Sequence, residues 1–315
     1  MRNHYLPKFL LNGFRDQDGL WQFDIRTGNF ERRNIDKAGA RLHFYTVELE
    51  TGLLQRIDGE AAAVFAKGLV GPKGEILITC ADREKLARWL ALFAIRTPQT
   101  FEDFKVHVEE ASKNPQQAID ILYENRDRVF ETIRESNPGL YEMLSEELGP
   151  SLAEEVILAA SASLVHQKHA NYVPDPKSAF VDYINEDRMR RFAARLLRFQ
   201  WLWLWSEYGF VIGDNPLCRW SKRNSRWNYG LNHRDIEITI PLSQHICLRL
   251  QRRQSRAKIA LHCNREQTIT YNRRQRVSAV YNVYGCQRRL RPMAVKVVAN
   301  LVATGRMPAP PRHAP

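Results

Sequence analysis

FQWLWLWSEYGFVIGDNPLCRW, residues 199–220, carries the plainest strand signal in the chain. Trp201, Trp203 and Trp205 alternate with Leu202 and Leu204, the two-residue period of a strand. Ser206 to Gly209 is turn-like, and GFVIGD at 209–214 reads as the returning strand, which places Asp214 at the end of a hairpin. Asp214-Asn215-Pro216 follows. That tripeptide either makes a turn through its own side chains or presents a carboxylate from a rigid element at the edge of a site.

On either side of this stretch the texture changes. A helix over about 182–198 leads into it, preceded by NYVPDPKS (171–178), whose two prolines suit a linker. Downstream, DIEITIPL, HICLRLQ and AKIALHC are strand-like, and Asn272 is placed to cap a closing helix, RRQRVSAVYNVYG. Near the N-terminus, DQDGLWQFDIRTGNFERR (16–33) reads as a hairpin turning at Thr27-Gly28-Asn29, and LHFYTVE (42–48) as a further short strand. From residue 53 helices take over: LLQRIDGEAAAVFAKGL, then DREKLARWLALFAIR, which stops at Arg96-Thr97-Pro98 because a residue before proline leaves the α region. Further helices are predicted over 115–135 and 151–169, the latter with Ser151 and Glu154 as a capping box. The expected class is α+β: short N-terminal strands, a helical middle, and C-terminal antiparallel strands with a closing helix. The expected organisation is one unit over 1–306 with two lobes, 1–170 and 179–306, and a Pro/Ala-rich tail at 307–315 without fixed structure.

The positive charge is unevenly placed. Residues 219–296 hold 18 Lys and Arg against 3 Asp and Glu, while the remainder holds 29 against 32. Fifteen of those 18 are arginines, the side chain suited to bidentate phosphate contacts, so this region is expected to meet a polyanion such as nucleic acid. The candidate contacts are Arg223, Arg226, Trp227, Arg252, Arg253, Arg256, Lys258, Arg273, Arg274 and Arg276, with Trp227 available for stacking on unpaired bases. With Asn272 as cap, Arg273, Arg274 and Arg276 would line the first helical turn and oppose its dipole. A bound phosphate, or a salt bridge to an acidic part of the chain, would account for them.

Several classes of chemistry lack their signatures: no P-loop, GxSxG, HExxH or dinucleotide GxGxxG occurs. Five scattered cysteines with no CxxC pair indicate reduced thiols. The pairs His166/His169 and His245-Ile246-Cys247 with His262-Cys263 are weak metal candidates against the simpler readings of a helix end and core cysteines. No signal peptide is evident, and no run approaches the roughly 18 apolar residues of a membrane span. A cytoplasmic protein without membrane association is expected.

HYLPKFLLNGF at 4–14 is the most distinctive run, and it resembles the opening of the bacterial family called domain of unknown function 4238. The resemblance continues in order through LHFYTVE, Glu60 in IDGEAAAVFAKGL, FAIRTP, FVIGDNP and the Asn272–Tyr284 stretch. Gly213 stands where a small hydroxyl residue is usual, and Lys8 where glutamine is frequent. Members of that family occur as single-gene anti-phage defence proteins, which implies the same role here, with a phage-encoded trigger as a further partner. The polar residues inside the matched motifs are the candidate catalytic set: His4, Glu60, Arg96, Asp214 and Asn215. A histidine, two carboxylates and an arginine suffice for phosphodiester hydrolysis, with a divalent metal as the candidate cofactor and its ligands unassigned. The expectation is a defence protein acting on nucleic acid as a hydrolase. The alternative is a non-catalytic module that senses a phage component, or blocks a host process, through the arginine-rich lobe.

Overall fold

The computed structural model describes residues 2–69, 77–113, 120, 123–124, 126–171, 176–221, 231, 235–252 and 260–304. It is an α+β fold. Strand β1 (Arg2–His4) pairs antiparallel with β4 (Ala40–Leu42). The predicted N-terminal hairpin is present as β2 (Leu20–Asp24) and β3 (Phe30–Arg33). Asp24 Oδ1 accepts the Arg26 and Thr27 N–H groups, and Gly28 takes φ +72° to complete the turn. The hairpin joins β11 (Asn282–Gly285) and β6 (Ile212–Gly213) in an antiparallel sheet of order β3-β2-β11-β6.

A second sheet holds β5 (Gln200–Trp205), β7 (Cys218–Ser221), β8 (Ile236–Pro241), β9 (Ile246–Gln251) and β10 (Ala260–His262) in the order β10-β5-β9-β8-β7. Its pairs are antiparallel except β10 with β5. The expected hairpin of residues 200–214 does not form, because β5 and β6 belong to different sheets. Trp201 to Leu204 are all buried, so β5 is apolar on both faces and sits inside its sheet. Gly209, at φ +79°, turns the chain away, and Phe210 N–H bonds the Gln244 carbonyl.

The helices show how local signals and distant contacts compete. Cys80–Phe93 starts on a capping box in which Thr79 and Asp82 satisfy each other's backbone N–H. The Lys67 ammonium and Thr79 hold the Asp82 carboxyl down to about 2. Glu186–Leu197 packs against this helix, and its C-terminal carbonyl at Leu197, with that of Phe199, accepts from Arg83. Helix Arg265–Ser278 begins eight residues earlier than expected, on an Asn264–Gln267 capping box. Arg273, Arg274 and Arg276 therefore lie in its last turns, where cations suit the dipole. LHFYTVE is not a strand: Asn3 Oδ1 accepts the N–H groups of Phe44 and Tyr45, His43 adopts φ +51°, and Thr46 caps the short helix Val47–Leu49. A π-helical turn, Glu50–Leu54, then runs into helix Gln55–Ala66.

The chain divides into two compact units, Met1–Phe101 with Val181–Pro315, and Glu102–Phe180. The first and last thirds share a unit because β2 pairs with β11. This division differs from one drawn at 171–178. The core under the four-stranded sheet is Phe23, Val211, Val283, Leu290 and Ala294, the last two from helix Gln287–Ala303. The inserted unit packs Phe130, Ile157 and Leu158 between helices Arg126–Ser136, Pro138–Leu148 and Pro150–Asn171. Its last helix begins at Pro150. Ser151 is not the cap, and Glu154 instead pairs with Arg134 at 2.7 Å. Among the described residues no helix is long and apolar enough to cross a membrane.

Candidate functional site

Gly213-Asp214-Asn215-Pro216 is held along its whole length by helix Arg265–Ser278 and the turn after it. Asn272 is no cap: its side chain accepts from Val211 N–H at 2.9 Å and donates to the Gly209 carbonyl at 3.0 Å. Gln275 accepts from Gly213 N–H at 2.9 Å and donates to the Pro216 carbonyl at 2.8 Å. Asn215 Nδ2 donates to Ser278 Oγ, which donates back to the Asn215 carbonyl, both at 3.0 Å. Asp214, fully buried, accepts the N–H groups of Val280, Tyr281 and Asn282 at 2.7–2.8 Å. Burial pushes its carboxyl up to about 6 against those three donors. Such a carboxylate organises the passage from helix to β11.

A second polar cluster lies where β1, the π turn and the Arg-Thr-Pro corner meet. Arg96 is fully buried and forms a two-pronged ion pair with Asp58, at 2.8 and 2.9 Å. Trp89 Nε1 donates to the same carboxylate at 3.1 Å. Arg96 also lies over the Phe93 ring, and its carbonyl accepts from Tyr45 OH. Beside it stands Glu50, the first residue of the π turn and half-buried. Burial raises its carboxyl above the ordinary range, against the lowering pull of Arg96, of the His4 backbone N–H and of the Asn3 amide. Glu50 Oε2, Asn3 Nδ2 and Arg96 Nε are all buried without a hydrogen bond of normal geometry, although the Asn3 amide stands near enough to the Glu50 carboxyl to pull its pKa down. Three unsatisfied polar atoms in one place are costly in a purely structural cluster, and π turns recur at functional sites.

Of the predicted catalytic residues, His4 and Arg96 border this cluster, though not as expected. The His4 backbone faces Glu50, while its ring lies with Lys8 and Asp36, where burial and the Lys8 cation lower its pKa. Successive strand residues point to opposite faces, so Asn3 and not His4 enters the cluster. Glu60 pairs with Arg88 at 2.9 Å. Asp214 and Asn215 belong to the latch described above. Sequence reasoning passed over Asn3, Glu50 and Asp58. Glu50 lies only two residues beyond LHFYTVE, but a lone glutamate resembles a solvated one until the fold buries it.

Two of the described basic candidates are engaged internally. Arg274 pairs with Glu237 and is stacked 4.1 Å from the Trp220 ring centre, with Tyr271 at 5.1 Å. This is the salt bridge that accounts for a cation at that position. Arg252 donates to the Leu231 carbonyl at 2.6 and 3.1 Å. Among the described residues Arg273 and Arg276 make no such pair. Arg276 is half-buried, and burial together with Arg273 lowers its pKa. Arg223, Arg226, Trp227, Arg253, Arg256 and Lys258 lie outside the described residues, as do the side chains of His166 and His169. His245 Nδ1 is 3.0 Å from the Ser206 carbonyl, and Cys247 and Cys263 are buried thiols raised by that burial. Among the described residues no three His, Cys, Asp or Glu side chains gather as a metal site.

The family model described as Protein of unknown function (DUF4238) matches residues 2–289. The chain belongs to this family. Both the latch and the Glu50 cluster fall within the span matched to DUF4238. Comparison with curated proteins and with solved structures returns no match.

Proposed function

We propose that this member of the DUF4238 family is a cytoplasmic anti-phage defence protein that cleaves nucleic acid, with Glu50 as its acid–base group. The observation that supports this reading is the Glu50 carboxyl: half-buried, raised by burial, and carrying an unpartnered Oε2 beside a buried arginine. Perturbed carboxyls with a specific charge neighbour concentrate at catalytic sites. In hydrolysis, the protonated Glu50 carboxyl would give its proton to the leaving oxygen as the P–O bond breaks. Water supplies the new oxygen on phosphorus and returns a proton to the carboxylate. Arg96, fully enclosed and clamped on Asp58, acts as a positioning residue for the turn that carries Glu50.

The test incubates purified protein with labelled single- and double-stranded RNA and DNA, with Mg²⁺, with Mn²⁺ and with EDTA. Cleavage abolished by Glu50→Gln at unchanged melting temperature supports the reading. Undiminished cleavage by that variant removes Glu50 from the chemistry. A metal requirement in the EDTA arm would show that ligands beyond those described take part.

A second reading, a non-catalytic module binding through its basic lobe, has one observation in its favour. Arg273 and Arg276 lie one helical turn apart, without a carboxylate partner among the described residues, and burial together with repulsion from Arg273 lowers the Arg276 pKa. An anion between them would relieve that repulsion. Binding to labelled nucleic acid without cleavage selects this reading.

A further inference from the structure

The concave surface at the end of the β2–β3 hairpin is lined by Arg15, Arg32, Arg33, Asn34, Leu20 and Ile35 and encloses about 490 Å³. None of the sequence motifs covers it, and neither the latch nor the Glu50 cluster contributes to it. Three arginines line one space, Arg15 and Arg32 with exposed side chains. Arg33 has Glu31 at 2.7 Å, but its Nε is buried and unpartnered. Among the described residues Arg15 has only the neutral Asn12 Oδ1, at 3.3 Å. Arg32 makes neither a hydrogen bond nor an ion pair among the described residues. Asn34 uses Oδ1 to accept Asp36 N–H, which leaves its Nδ2 as a donor.

Local folding keeps the cations there. Leu20 stands opposite Arg33 and Trp21 opposite Arg32 in the β2–β3 register, so both arginines are fixed to a rigid ladder. Gly19 adopts φ +96°, and a Cβ there would stand 2.7 Å from Arg32 Nε. The glycine lets the Arg32 side chain cross the loop. Like charges gathered on a rigid frame repel unless an anion lies between them, and guanidinium forks match phosphate oxygens two at a time. Buried Leu20 and half-buried Ile35 add an apolar wall suited to a ring, and the volume falls in the range of small-molecule sites.

The geometry points to this pocket as a binding site for a phosphate-bearing ligand of nucleotide size, with Arg15 and Arg32 as its exposed anion contacts. The phosphate arrives on a free nucleotide or on the 5′ end of a strand, and the same cations serve either. This site is independent of cleavage at Glu50.

The full chain is titrated calorimetrically with pyrophosphate, ATP and GTP, and with one oligonucleotide bearing either a 5′-phosphate or a 5′-hydroxyl. The double variant Arg15→Gln/Arg32→Gln is run in parallel. Both side chains are exposed, so its unliganded melting temperature is expected to match the wild type. At least one phosphate-bearing probe is expected to bind, and to bind about tenfold or more weakly to the double variant, which lacks two charge-assisted hydrogen-bonding groups. Nucleotide binding alone identifies a free nucleotide as the ligand. Discrimination between the 5′-phosphate and 5′-hydroxyl strands identifies a strand end. No binding by any probe at millimolar concentration, or equal binding by wild type and double variant, overturns the proposal.

Discussion

Gly213 packs against Gln275 so closely that a Cβ on residue 213 would stand 2.8 Å from the Gln275 carbonyl oxygen and 3.1 Å from the Ala279 Cβ. The departure from a small hydroxyl residue therefore has a steric reason in this chain: the helix backbone lies against the strand. Gly213→Ser and Gly213→Ala are both expected to destabilise by about 1–3 kcal/mol, the cost of overpacking against backbone that cannot retreat. Urea denaturation of the two variants checks this. Equal stability of either variant and the wild type would mean that the helix moves aside freely.

Asp214 makes the latch sensitive to pH. Its carboxyl is raised to about 6 in the folded protein from an ordinary value of 3.8, so the native state holds its proton more tightly than the unfolded chain. The resulting stabilisation is complete below about 3.8, declines as pH rises, and is gone once pH passes about 6. Its size is about 3 kcal/mol. Asp214→Asn removes the titration. The stability difference between wild type and variant is expected to shift against the wild type by about that amount from pH 4 to pH 7. A difference that stays flat over this range would show that the three backbone donors outweigh burial.

How much of this was legible depends on sequence distance. The hairpin 20–33 could be read because it is decided within a few residues. The same logic misplaced the start of the closing helix. Asn272 and Asn264 both precede helical sequence, and only the contact of Asn272 with Gly209 and Val211, more than sixty residues away, separates a latch from a cap. LHFYTVE alternates like a strand, yet Asn3 bends it from some forty residues upstream. GDNP was visible as a motif, while its role depended on donors at 280–282. Glu50 escaped because no periodicity marks a π turn.

Asp58 and Arg96 form a buried ion pair whose arginine is fully enclosed. Removing one partner leaves an uncompensated charge in the interior. Asp58→Ala is expected to cost about 3–5 kcal/mol, and Arg96→Lys to be poorly tolerated because an ammonium cannot make the two-pronged contact. Glu50→Gln should behave in the opposite way, leaving stability equal or higher, since burial disfavours the ionised form it removes. Thermal denaturation of the three variants at neutral pH checks the contrast. A large loss for Glu50→Gln would mark Glu50 as part of the packing.

Arg273, Arg274 and Arg276 are near neighbours with different surroundings, and nucleic-acid affinity should separate them. Arg273 and Arg276 have no carboxylate partner among the described residues, so Gln at either position should leave the melting temperature nearly unchanged while lowering affinity. Each phosphate that goes unneutralised reduces the slope of log K against log salt by about 0.7 on single strands and about 0.9 on duplex. Arg274 is held by Glu237 between Trp220 and Tyr271, and Arg274→Gln should act first on stability, leaving the largely buried Glu237 with only the more distant Arg249, at 3.9 Å. Fluorescence anisotropy at several salt concentrations, with denaturation of the same variants, gives both quantities. If Arg273→Gln and Arg276→Gln leave the salt slope unchanged, the end of this helix takes no part in binding phosphate. The repulsion between the two side chains is then relieved by solvent and salt alone.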